Sequence, residues 1–339
     1  MKFTEYLVKR GIQTVITILA ILVLNYIIFN MLGNPIAMLK LAPHMTPRAV
    51  DNLMAQYHIP QNAFQFPQVF EYIGWYIWDM LTFNWGISLS IQPGTQVTAL
   101  VVQRAPWTLL LVGISTILSY AIGILIGIYI TWKRGKASEF ITIVVSLFFY
   151  SIPVFFFALL ILLFFGFDLH WIPLGGLYST TSSGTSLSSL EKQIGLGATI
   201  INILWHFEAA ILSLTIISLA GVILLMRQAM LEAFGEDYIL TAKAKGLTEW
   251  QIMRKHAAKN AMLPVVTSIT LSIGGLLGGA LFTEEMFSIP GMGLLMYQAV
   301  MQKDLFVLEG TFYLLALTVV FSNLAADLVY GLLDPRVKA

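Results

Sequence analysis

The sequence has no cysteine. That excludes a disulfide framework, a thiol nucleophile and cysteine-ligated zinc. Charge is scarce as well. Only 11% of the 339 residues are Asp, Glu, Lys or Arg, where soluble domains carry about 25%. The net charge of +1 leaves no basic footprint for a nucleic-acid partner. No HExxH, Walker A or GxGxxG pattern occurs, and Gly135-Lys136 runs into Ala137 without the upstream glycine of a P-loop. Any nucleotide energy used here comes from another chain. The long apolar runs hold almost no ionisable residue: Glu208 stands near the start of one and Asp327 near the end of another. An ion-driven carrier usually keeps such groups near the bilayer midplane, so their scarcity counts against one, although backbone carbonyls also bind sodium. His170 and His206 fall at run edges with no nucleophile close in sequence, so no catalytic constellation forms.

What the chain does have is hydrophobic sequence, 58% of it, with a mean hydropathy of +0.80. Six apolar runs, over 12–32, 106–132, 140–167, 203–226, 262–282 and 311–333, reach the ~20 residues that a bilayer-spanning helix needs. The fold class is all-α, a polytopic membrane protein with six transmembrane helices. Lys9 and Arg10 precede the first run, and the turn Gly33-Asn34-Pro35 follows it in place of a small-residue cleavage site, so the run is a retained helix. Ser151-Ile152-Pro153 predicts a kink in the third run. Gly123-x-x-x-Gly127, Gly274-Gly275 and Gly278-Gly279 predict close helix contacts.

Between the first two runs lies an insert, 33–104. Thr46 as cap and Pro47 at the first helical position predict a short helix over 46–57. Trp75, Tyr76, Trp78 and Trp85 suit either the membrane–water boundary or the core of a packed subdomain. The chain thus divides into 1–32, the insert 33–104, and a transmembrane core 105–339 with a polar loop over 227–261.

That loop is a long polar segment between two strongly apolar ones. It carries Arg227, Lys243, Lys245, Arg254, Lys255 and Lys259. Asp237 is placed to cap a helix over 238–245, with Lys243 and Lys245 in its last turn, where cations suit the dipole. Gly246 stands where a helix C-terminus needs a residue free to take positive φ. Thr248-x-x-Gln251 fits a capping box for a second helix that reaches Pro264. Such a hairpin is either a lever between membrane segments or an ordinary surface feature. Six spans put both termini on one side. Of the 19 Lys and Arg, only Lys40, Arg48, Arg104, Lys192 and Lys303 fall on the other. The positive-inside rule makes the termini and the hairpin cytoplasmic. The insert and the 168–203 loop face outward, and the Ser/Thr-rich stretch 179–189 reads as a solvated flexible loop.

The hairpin closely resembles the cytoplasmic coupling segment of ATP-binding-cassette importer permeases of the oligopeptide/dipeptide/nickel branch. The matching residues are Asp237-Tyr238-x-x-Thr241-Ala242-x-Ala244-Lys245-Gly246-Leu247 and His256-Ala257-x-x-Asn260-Ala261-x-x-Pro264. The likeness extends to 6–10, Trp85-Gly86-x-Ser88, Pro106-x-Thr108-Leu109, Ser151-Ile152-Pro153, Trp171-x-Pro173, and Gly278-Gly279-Ala280 with Glu284, Phe287, Pro290-Gly291 and Gly293. It closes on Asp327-Leu328-x-Tyr330-x-x-x-Asp334-Pro335-Arg336. Several features depart from the pattern: Leu240-Thr241-Ala242 replaces the general Glu-Ala-Ala, Gly33-Asn34-Pro35 shortens Pro-Gly-Asp-Pro, and the Ser/Thr-rich loop and the long aromatic insert diverge.

The resemblance implies the type I importer permease fold and a non-enzymatic subunit of an ATP-driven importer in the plasma membrane, forming half of a pathway for oligopeptides or dipeptides. Oligosaccharides or nickel as cargo stay open, as do an ion-coupled carrier and a membrane scaffold. The implied partners are a second homologous permease, two ATPase subunits that bind ATP and Mg, an extracytoplasmic substrate-binding protein and the lipid bilayer, with no cofactor in this chain. It assigns ATPase coupling to Asp237, Tyr238, Thr241, Ala242, Lys243, Ala244, Lys245 and Gly246, and the substrate pathway to Ser151, Phe155, Ser272 and Glu284.

Overall fold

The computed structural model describes residues 3–32, 46–59, 66–179, 187–278 and 280–333. Gly33-Asn34-Pro35, Gly279, 180–186 and Asp334-Pro335-Arg336 lie outside them. The described chain is helical, with a single isolated antiparallel bridge between Ile87 and Gln96. Among the described residues four helices are long and apolar enough to cross a membrane: α1 (Phe3–Leu32), α4 (Val97–Trp132), α8 (Leu196–Phe234) and α14 (Leu305–Leu333). A bent pair makes the fifth candidate.

The longest contact is between α4 and α8. Both are apolar all round, and two glycines let their backbones approach. A Cβ on Gly123 would stand 2.7 Å from Val222 Cγ1, and one on Gly127 would stand 2.7 Å from Met226 Cβ. Small residues are what membrane helices use for such approach, because no hydrophobic force separates helix from lipid. Gly274 does the same toward α14, with Ser322 Cβ 2.9 Å from where its Cβ would stand.

Two spans are more broken than their apolar runs predict. The third is α5 (Ala137–Ser151) and α6 (Val154–Ile161), bent by 97°, with α6 running on as a π-helical stretch over Leu162–Asp168. Pro153 has no N–H to give and holds Ile152 extended at ψ 128°, so the helix stops and restarts. The fifth is α11 (Ala258–Gly275), a 3₁₀ turn over Leu276–Gly278 and then α12 (Leu281–Met286). Glycine has little helical preference, and the paired glycines mark where the helix gives way.

Other helices outrun their apolar runs. α4 starts at Val97, inside what reads as insert, and α14 starts at Leu305 rather than 311 and so takes in Glu309. α8 ends at Phe234, which makes Arg227 helical rather than the first residue of the loop. The insert holds α2 (Pro47–Gln56), capped as read by the Thr46 hydroxyl, which accepts the Ala49 N–H at 3.3 Å, and α3 (Val69–Leu81). A short helix α7 (Leu187–Ile194) replaces part of the expected flexible loop, because Leu190 finds a buried place.

The bundle is polarised. At the insert end a core of Val50, Met80, Trp85, Val97, Leu295 and Phe306 joins α2 and α3 to the starts of α4 and α14. Leu111, Phe207, Phe287 and Ile289 belong to a second cluster, and a third lies at the hairpin end. α4 runs from Val97 in the first to Trp132, which meets Trp250 of the hairpin at 5.2 Å. The N-terminal lead is tied to the far end of α14: Arg10 pairs with Asp327 at 3.1 Å, and the Tyr6 hydroxyl donates to the Asp327 carbonyl at 3.0 Å.

Candidate functional site

The hairpin begins where α8 ends. α9 (Asp237–Ala244) follows a cap at Glu236, whose backbone is extended and whose side chain makes no cap hydrogen bond. Asp237 is therefore the first helical residue and not the cap that its spacing predicts; it still lies in the first turn, where a carboxylate suits the helix dipole. At the other end the Lys245 N–H donates to the Thr241 carbonyl at 3.1 Å and the Gly246 N–H to that of Lys243 at 2.9 Å. Gly246 has φ +74°, the conformation its place predicts. A Cβ there would meet nothing within 4 Å, so the position asks for backbone freedom and not for space. Thr248 and Gln251 close the capping box in both directions, at 3.4 and 3.0 Å. α10 (Glu249–Ile252) then passes through a π turn, Met253–Ala257, straight into α11.

One face of α9 holds the hairpin to the bundle. Ile239 and Ala242 are buried among Met226, Met230, Ala233, Ile252, Met253 and Ala257, and Tyr238 packs beside them. The opposite side is open: Asp237, Leu240, Thr241, Lys243, Ala244, Lys245 and Gly246 are exposed. Positions 237, 240, 241 and 244 neighbour one another on a helix surface. They form a small mixed surface in which Leu240, 64% exposed, and Ala244 are the apolar members and Asp237 and Thr241 the polar ones. Just before the hairpin, α8 is clipped to α5. The Arg227 Nε and Nη2 donate to Glu139 Oε1 at 2.9 and 2.6 Å, and the Gly135 N–H donates to Oε2 at 2.7 Å. An open pocket of about 530 Å³ lies between Trp132, Arg134, Lys243 and Glu249.

A second feature lies among α4, α5, α8 and α11. A cavity of about 280 Å³ is lined by Thr116, Ser119, Tyr120, Tyr150, Ser218, Ser268 and Ser272, with no charged residue. The Tyr120 hydroxyl shares hydrogen bonds with Ser268 Oγ at 2.6 Å and Ser272 Oγ at 3.0 Å. Hydroxyls donate and accept, so such a wall can follow any polar chain that passes. Ser272 is thus the one residue of the four sequence-derived pathway positions that lines this cavity. Ser151 is exposed and turns its hydroxyl back onto the Leu147 carbonyl at 2.8 Å. Phe155 is exposed against Phe282, ring centroids 5.6 Å apart. Sequence reasoning passed over Tyr120, Ser268 and Tyr150, because isolated hydroxyls in apolar runs give no local signal; their serine and tyrosine content at helical spacing is the only trace.

Glu284 stands elsewhere and is fully buried. Its Oε1 accepts from the Thr108 hydroxyl at 2.7 Å, its Oε2 from the Leu294 N–H at 2.9 Å, and Thr108 Oγ1 accepts the Met292 N–H at 2.7 Å. Gly291 packs against the carboxylate so closely that a Cβ there would collide with it. In this structure Glu284 joins α4, α12 and α13 (Met292–Met301), and does not open onto the cavity. Asp304 does similar work near the insert: its Oδ2 accepts from the Ser88 hydroxyl at 2.6 Å and from the N–H groups of Leu89, Ser90 and Ile91. Among the described residues no group of His, Asp and Glu is arranged to hold a metal ion.

Residues 98–339 match the family model described as the binding-protein-dependent transport system inner membrane component. The chain is 30% identical to the dipeptide transport system permease protein DppB of Escherichia coli, an alignment that covers 98% of each chain. It is 29% identical to the oligopeptide transport system permease protein AppB of Bacillus subtilis, over 98% of this chain and 99% of that one. Among solved structures, an inward-facing form of the MetNI methionine ABC transporter aligns over 70% of this chain and 97% of its own, with a TM-score of 0.52 and 20% identity; at that identity it speaks for the fold alone.

Proposed function

This chain belongs to the family of binding-protein-dependent transport system inner membrane components, and from that membership we propose that its hairpin is where ATPase subunits drive a peptide pathway through the bundle. The chain is a non-enzymatic, multi-pass permease subunit of an ABC importer, and its relatives are named for dipeptide and oligopeptide transport. Importers of this kind work with ATPase and substrate-binding partners. In the proposed assembly a second homologous permease completes the pathway. Two ATPases bind ATP and Mg on the cytoplasmic side, where the hairpin and both termini lie, and a binding protein delivers cargo from outside.

The observation that carries the reading is the build of α9. Its inner face, Ile239 and Ala242, is locked to the end of α8, to α10 and to the π turn that leads into α11, while Asp237, Leu240, Thr241, Lys243 and Ala244 stand free for a partner. A displacement of α9 is passed on through Gly246 and the capped α10 into α11, which carries Ser268 and Ser272 to the hydroxyl-lined cavity. A rigid helix, a glycine joint and an unbroken path into a span are the parts a lever requires. The cavity's neutral hydroxyls suit a cargo recognised by its polar backbone and not by side-chain charge. With Phe155 and Ser151 farther along the bent α5–α6 pair, they make the proposed pathway wall.

The test uses the absence of native cysteine. A single cysteine in place of Lys243 is expected to crosslink to an engineered cysteine in the ATPase of the assembled importer, with a yield that changes with ATP. No crosslink under any nucleotide condition would remove the coupling assignment.

A further inference from the structure

The insert contains two helices that bury one face each in the same core, yet their outer faces differ in kind. α2 sends Val50, Leu53 and Met54 inward and presents Arg48, Asp51, Asn52 and Gln56 outward. This is the ordinary pattern of a helix in water. α3 sends Ile77 and Met80 to that core and also turns its acidic Asp79 inward. Asp79 is 7% exposed and held by the His58 ring, Nδ1 to Oδ2 at 3.2 Å, and by the Asn84 amide at 3.1 Å. Outward it presents Phe70, Trp75, Trp78 and Leu81, with Phe70 68% and Trp78 61% exposed. A helix in water does not bury its carboxylate and expose its tryptophan.

We propose that the outer face of α3 is an anchor seated in the lipid headgroup zone at the insert end of the bundle. Tryptophan prefers that zone, where its ring is apolar and its N–H stays wet. The neighbourhood agrees. Tyr76 of α3 meets Tyr26 of α1 with ring centroids 5.4 Å apart, so α3 is held beside a span whose Leu24, Ile28 and Met31 are themselves exposed apolar side chains. α3 is thus packed against the insert-side end of a helix that is long and apolar enough to cross a membrane. Glu71 is the one charged residue on the exposed side of α3, and no lysine or arginine stands on this helix. A surface that captures and releases a soluble protein gains its encounter rate from charge, and this one has almost none. Amphipathic helices of this kind sink their apolar face about 5–10 Å into the headgroup and acyl boundary. Anchored so, α3 fixes the height of the insert above the bilayer, and with it the loop over 88–91 that Asp304 holds.

The experiment places spin labels on single cysteines in the assembled importer in lipid nanodiscs. Phe70→Cys and Trp78→Cys report on α3, Ile16→Cys on the exposed flank of α1 serves as the lipid reference, and Asp51→Cys on α2 as the water reference. The expected result is a positive logarithm of the oxygen-to-nickel-chelate collision ratio at 16, 70 and 78, and a negative one at 51. Phe70→Cys decides alone if Trp78→Cys does not assemble. Values at 70 and 78 like that at 51 overturn the proposal. So does shielding of both positions from both relaxants, which means that a second permease or the binding protein covers the face.

Discussion

At Gly246 the backbone holds φ +74° while the space a side chain would fill is empty. Conformation and bulk can therefore be separated by two substitutions. Gly246→Val forces a β-branched residue into a region that costs L-residues roughly 1–2 kcal/mol, whereas asparagine visits it routinely. Gly246→Val is expected to assemble and to keep basal ATP hydrolysis, with stimulation by substrate and binding protein lost. Gly246→Asn is expected to keep most of that stimulation. Normal transport by the valine variant would mean that the joint carries no coupling. Ser272 allows a similar separation in the cavity. Ser272→Ala removes its hydrogen bond to Tyr120, while Ser272→Phe also fills much of the about 280 Å³. Vesicle uptake should fall sharply for phenylalanine and little for alanine, with assembly intact in both. Equal uptake by both would take Ser272 off the pathway.

Among the elements, the clip between α8 and α5 stands at the root of the lever. Glu139 accepts two hydrogen bonds from Arg227 on one oxygen and the Gly135 N–H on the other, so one carboxylate ties the end of α8 to the turn between α4 and α5. A charge-assisted pair of this geometry positions as well as attracts. Glu139→Gln and Arg227→Gln are each expected to weaken the dependence of transport on ATP hydrolysis, raising the ATP used per substrate moved. The double variant with the two charges exchanged should recover part of the loss. If both single variants couple as the parent does, the clip only packs the bundle. These two residues illustrate what is legible at this scale. In the sequence Arg227 looks like the first residue of a polar loop, and no motif singles out Glu139. Only the extension of α8 to Phe234 makes them neighbours.

For the whole molecule, the charge asymmetry of the loops predicts an orientation that a chemical label can read. Lys136→Cys is expected to stay unlabelled by a membrane-impermeant thiol reagent in intact cells, and Ser183→Cys, in a segment outside the described residues, to react. The reverse pattern would invert the bundle and move the hairpin away from ATP. The sequence by itself determined much of this protein. Apolar run length, the close approach at Gly123 and Gly127, the Thr46 cap, the Thr248–Gln251 box and the positive φ at Gly246 were all legible, because each depends on residues within a turn or two of one another or on the thickness of a bilayer. Tertiary structure decided the rest. Glu284 and Thr108 stand far apart in sequence and meet only because α4 and α12 are packed together. The seven hydroxyls of the cavity come from four helices, and each alone resembles ordinary membrane-helix serine. The aromatic insert was readable both as core and as membrane boundary, and the structure divides its rings: Trp85 is buried and Trp78 is exposed. Which ring faces which solvent depends on what packs behind the helix, and no local pattern carries that information.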